Sequence, residues 1–136
     1  MNKAIIIGHL GKDAESGETE SGKRWVRLSV ATSESWRDKA TGEKRERTEW
    51  HRIVCWGDGL TAFLTENAKK GGKVMVEGTV QTRKWTKDGQ DRFTTEIVVQ
   101  GAGGVVRLLG RPGEGGGGLP APEEPDGRYA GSEGVF

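Results

Sequence analysis

Apolar side chains recur at every second residue in three long segments of this chain, and a fourth apolar segment breaks that rhythm. Trp25 to Thr32 (WVRLSVAT) sets Val26, Leu28 and Val30 against Trp25, Arg27 and Ser29. Thr48 to Trp56 (TEWHRIVCW) sets Thr48, Trp50, Arg52, Val54 and Trp56 against Glu49, His51, Ile53 and Cys55. Lys73 to Trp85 (KVMVEGTVQTRKW) sets Val74, Val76, Gly78 and Val80 against Met75, Glu77, Thr79 and Gln81. Such alternation describes a strand with one buried face. The exception is Leu60 to Lys70 (LTAFLTENAKK), with apolar residues at 60, 63, 64 and 68, a helical spacing ended by Gly71-Gly72. That spacing predicts a helix whose last turn holds Lys69 and Lys70, where the dipole favours cations.

The remaining segments complete an all-β chain. Residues 2–10 (NKAIIIGHL) form a β-branched run, a first strand with a bend expected at Gly8. Residues 11–24 are polar and Gly-rich, a loop or frayed hairpin, and the charged stretch 33–47 is a long ribbon or loop. Asp88-Gly89 is a hairpin turn, after which Arg92–Val99 returns as a strand and 105–109 adds a short closing segment. The order β-β-β-α-β-β, with its one helix between strands 3 and 4, matches a five-stranded Greek-key OB barrel whose helix plugs one end.

Composition divides the 136 residues into two parts. Residues 111–136 are dominated by Gly, Pro and acidic side chains and offer almost nothing to bury, so they read as a disordered tail. The folded domain is then residues 1–110. The tail holds Arg111 and Arg128 against Glu114, Glu123, Glu124, Asp126 and Glu133, a net −3, so the overall +1 leaves the folded part at +4. A mildly basic body on an acidic tail suggests a polyanionic partner.

Five tryptophans are many for such a body, and their neighbours are the informative part. Trp36, Trp50 and Trp85 lie in SESWRDK, RTEWHRI and TRKWTKD, among cations rather than aliphatics. An exposed indole stacks on any unpaired base for about 1–3 kcal/mol, and Lys or Arg beside it pairs with phosphates. Duplex DNA keeps its base faces covered, so the pattern favours a single strand. Trp25 alone fits a packing partner better. Trp56, in IVCWGD, fits stacking and packing under the helix equally. Lys44, Arg45 and Arg47 fit a solvated loop as well as a DNA contact, and His51 fits packing or a subunit interface.

Catalysis finds no support. No acidic cluster, phosphate loop or nucleophile elbow occurs, and no metal site or cofactor is expected. The single Cys55 excludes an intrachain disulfide and reads as a small buried residue. No membrane span or signal peptide is evident, which predicts a soluble intracellular protein. An RNA-binding OB module and a protein-interaction OB domain are the rival readings.

The segments TSESWRDKATGE (32–43), TEWHRIV (48–54) and VEGTVQTRKWTKDGQDRFTTEIVV (76–99) resemble the bacterial single-stranded DNA-binding protein family, and NKAIIIGHLGKDAE is similar to its first strand. The resemblance spans nearly all of residues 2–100. It implies an OB fold, assembled as a homotetramer, that wraps single-stranded DNA in replication, recombination and repair, in the cytoplasm with the nucleoid. It implies that Trp36, Trp50, Trp85 and Trp56 stack on bases. It implies phosphate contacts from Arg37, Lys39, Arg52, Arg83, Lys84 and Lys87, and a subunit contact near His51. Replication and repair proteins would dock on the acidic tip that ends such chains. Here that tip is reduced to Glu133 and Phe136 without the family's acidic run or its Pro, and Trp25 replaces a more usual aliphatic or small residue.

Overall fold

The computed structural model describes residues 1–111; the expected tail beyond them, with Glu133 and Phe136, lies outside the described residues. The elements are β1 (Ala4–Leu10), β2 (Glu15–Glu18), β3 (Arg24–Arg37), β4 (Lys44–Trp56), α1 (Asp58–Asn67), β5 (Lys73–Lys87), β6 (Gln90–Val99), a 3-10 turn (Gly101–Gly103) and β7 (Val105–Gly110). Strands β1, β3, β4, β6 and β5 follow one another in that order, and β5 closes onto β1. Only the β4–β6 contact is parallel among the described pairings. This is the expected five-stranded OB barrel with one helix between its third and fourth strands. β2 adds a hairpin to β3 where a loop or frayed hairpin was expected, and β7, the expected closing segment, pairs with β5.

The alternating residues fill the barrel as their period dictates. Val26, Leu28 and Val30 of β3, Ile53 and Cys55 of β4, Val74 and Val76 of β5, and Ile97 and Val99 of β6 form the core, and Leu64 and Ala68 reach it from the helical segment. Each fully buried aliphatic contributes roughly 1.5–3 kcal/mol. Burial also pushes the Cys55 thiol up to about 12, the value of an inert core residue. None of the five tryptophans belongs to this cluster.

The expected helix boundaries need correction. The helix starts at Asp58 and ends at Asn67, so Lys69 and Lys70 lie beyond it rather than in its last turn. Tertiary bonds override the local pattern. Ala68 is extended, its carbonyl accepts from the Ala14 N–H at 2.9 Å, and the Lys70 N–H donates to the Asp13 carboxylate at 2.8 Å. These contacts tie the segment to residues 13–14 in place of another helical turn.

Two strand pairs outgrow the barrel. β3 and β4 stay paired out to Arg37 and Lys44, and β5 and β6 stay paired out to Lys87 and Gln90. The second pair is closed by Asp88 (φ 53) and Gly89 (φ 76), the left-handed geometry of a tight hairpin turn. The charged stretch 33–47, for which ribbon and loop are the two expectations, is therefore mostly ribbon.

Candidate nucleic-acid interface

Residues directly opposite each other in paired strands share a face. Across β3 and β4 the outer face therefore carries Trp25 with Trp56, Arg27 with Val54, Ser29 with Arg52, and Ala31 with Trp50. Val54 pairs with Val98 and carries this face onto β6. Across β6 and β5 it continues through Gln81 with Glu96, Arg83 with Thr94, and Trp85 with Arg92. One continuous outer surface thus holds four of the five tryptophans, interleaved with arginines. No metal-binding cluster of His, Cys, Asp or Glu occurs among the described residues.

Each indole on this face is held differently. Trp50 is half-buried and lies over Gly11, where any Cβ would sit 2.6 Å from its Cη2. Only glycine leaves room for the ring. Trp85 is fixed by its own N–H, which donates to the Thr94 hydroxyl at 2.8 Å, and Thr94 is itself buried. Trp56 borders a shallow cleft of about 260 Å³ with Val54, Val98, Gln81, Arg83 and Glu96. By register it belongs to the outer face, and it is absent from the buried core. Trp25 is taken up by packing: its ring lies over Gly17, and the Arg27 guanidinium stands 5.5 Å from its centroid while pairing with Glu15 at 2.7 Å.

Trp36 is separated from the others. It is 48% exposed near the tip of the β3–β4 ribbon, opposite Arg45, and by register it occupies the reverse face from Trp50. Of the cations named from sequence, Arg37, Arg52, Arg83 and Lys87 share the register of the tryptophan face, whereas Lys84 is on the reverse of the β5–β6 ribbon. Lys39 lies in the turn at the ribbon tip, where the Arg37 guanidinium donates to the Gly42 carbonyl at 3.1 Å. Arg83 donates to the buried Glu96 carboxylate at 2.9 Å, so part of its charge is already spent. Arg92 and Phe93 were missed from sequence. Counting back from the Asp88-Gly89 turn places Arg92 opposite Trp85 and Phe93 opposite Lys84.

A match to the model of the single-strand binding protein family covers residues 1–106. The chain belongs to that family. Single-strand binding proteins are non-enzymatic DNA-binding proteins, which bears out the reading of a chain without a catalytic site. The chain is 47% identical over 119 residues to a single-stranded DNA-binding protein of Rhizobium meliloti (strain 1021), covering 86% of this chain and 68% of that one. Its fold matches a Plasmodium falciparum SSB in complex with ssDNA, with a TM-score of 0.74 and 33% identity over 80% of this chain and 95% of that one. It also matches a deletion mutant of the single-stranded DNA binding protein from Thermus aquaticus (TM-score 0.67, 24% identity, 80% of this chain and 50% of that one), a likeness of fold alone. No helix among the described residues is long and apolar enough to cross a membrane.

His51 faces away from the tryptophans, opposite Val30, and its Nε2 is 2.8 Å from the Thr32 hydroxyl. Burial lowers its pKa below 6.5, against an opposing pull from Glu49. Protonation therefore opposes folding. The stability contributed by the neutral ring is complete above the unfolded value and is lost as pH falls through the lower folded one. Thermal unfolding should show a midpoint that drops between pH 7 and pH 5, and drops less in His51→Gln.

Proposed function

We propose that this chain binds single-stranded DNA without sequence preference, laying bases on Trp50, Trp56 and Trp85 and phosphates beside Arg52, Arg92 and Lys87. The observation that carries this reading is the shared register of these side chains on one outer sheet face. Every base has a π-face, so indoles on a rigid sheet accept any sequence, while cations beside them attract the backbone. Trp36, Arg37 and Lys39 extend the contact along the β3–β4 ribbon. Arg83 contributes less than its position suggests because Glu96 holds it, and Lys84 serves the reverse of its ribbon.

In this reading the domain of residues 1–110 protects unpaired strands during replication, recombination and repair in the nucleoid, and replication and repair proteins dock through Glu133 and Phe136. The working unit is a homotetramer, since linked copies raise affinity through multivalency. Exposed Ile5 and Ile7, which share the outer face of the β1–β5 pair with Met75, supply an apolar surface for a second copy, and His51 lies near a subunit contact. Sedimentation should give the mass of four chains.

Titration with oligo-dT, followed by tryptophan fluorescence, tests the reading. Strong quenching, weakening as salt rises, is expected, with duplex DNA and RNA of equal length competing poorly. Absence of quenching together with indifference to salt would refute it.

A further inference from the structure

The outer halves of the two ribbons are built alike on their reverse faces. On the β3–β4 ribbon Trp36 is 48% exposed and stands directly opposite Arg45, which pairs with Asp38 at 3.4 Å. On the β5–β6 ribbon Phe93 is 66% exposed and stands directly opposite Lys84, which pairs with Asp91 at 3.2 Å. In each case an aromatic ring and a cation face one another across the strands, with a carboxylate from the same hairpin holding the cation. Both positions follow from register: the parity that points inward along the barrel points to solvent once the ribbon has left it.

A large aromatic two-thirds exposed on a ribbon is costly to leave in water, and nothing in its own ribbon covers it. Val80, two cross-strand pairs further in on the same face, is also exposed, and the Thr82 and Thr95 hydroxyls bond at 2.8 Å between them. The patch is thus a ring, a small apolar residue, two hydroxyls and a cation. Its opposite face holds Trp85 with Arg83, Arg92 and Lys87. Trp85 and Phe93 thus belong to neighbouring cross-strand pairs and project to opposite faces of the same ribbon.

We propose that Phe93 is a further base-stacking residue, with Lys84 as its phosphate partner, so that single-stranded DNA clasps the β5–β6 ribbon from both faces. This rests on the function proposed above, and the test separates the two. Equilibrium binding of the full chain to short and long oligo-dT is compared for the wild type, Phe93→Ala, Phe93→Tyr and Trp85→Ala, with sedimentation of each. Phe93→Ala should weaken long oligonucleotides roughly tenfold, as loss of one stacked base does, and leave unchanged those too short to round the ribbon. Phe93→Tyr should restore affinity, and the oligomeric mass should stay the same. If Phe93→Ala binds every length like the wild type while Trp85→Ala is weakened, this inference falls and the general reading stands. If Trp85→Ala is also unaffected, the general reading falls with it. A change of mass in Phe93→Ala without a change in affinity would assign the ring to a protein contact and overturn the inference.

Discussion

Replacing Trp50 and Trp56 together with alanine lowers affinity for a single strand at least roughly thirtyfold. Stacking on an aromatic is worth about 1–3 kcal/mol per base, and each 1.4 kcal/mol is tenfold in affinity. The two rings share one face of β4, and Trp56 walls the cleft beside Val54 and Val98. On the proposed path their removal would take two stations and leave Arg52 between them. Trp50→Ala also opens space above Gly11, so the thermal midpoint is recorded with each affinity. The double change to phenylalanine keeps two π-faces and should recover most of the binding. A double alanine variant that folds and binds like the wild type would contradict the assignment.

Gly8→Ala is expected to cost about 3 kcal/mol of stability, the upper range for overpacking. β1 pairs with β5 from Ala4 to His9 and then with β3 through His9 and Leu10, so Gly8 lies where the barrel seam changes partner. A Cβ there would overlap the Ala31 carbonyl oxygen and stand 2.9 Å from Val30 Cγ1. A backbone atom cannot swing aside as a side chain does, so relief requires the β1–β3 contact to open. Chemical denaturation measures the loss. Ile5→Ala, on an exposed residue of the same strand, should change monomer stability far less.

The barrel was legible because its signals are local. Period-two alternation grouped Val26, Leu28 and Val30 on one face of β3, Ile53 and Cys55 on one face of β4, and Val74 and Val76 on one face of β5. These line the core, whereas Val80 of the same β5 set is exposed where the ribbon leaves the barrel. The helix ends were not legible, because Asp13 and Ala14, distant in sequence, capture the residues that local spacing assigned to the last turn. The tryptophans were readable as a set through their basic flanks. Their division between faces was not, since it depends on the β3–β4 register that sends Trp36 to the opposite side from Trp50. Trp25 illustrates the limit of flanking charge as a signal: Arg27 beside it covers the ring rather than inviting a base. Arg92 and Phe93 could have been found by counting from the Asp88-Gly89 turn, because a two-residue hairpin fixes every cross-strand partner above it.

Stacking on the outer face separates most cleanly from charge attraction in a comparison of oligo-dT with an abasic strand of equal length. The abasic strand keeps every phosphate and removes every π-face. It should bind at least a hundredfold more weakly, since several proposed stations at about 1–3 kcal/mol each are lost, and it should leave tryptophan fluorescence unquenched. Equal affinity for the two strands at the same salt would mean that phosphates alone are recognised and that the indoles serve some other purpose.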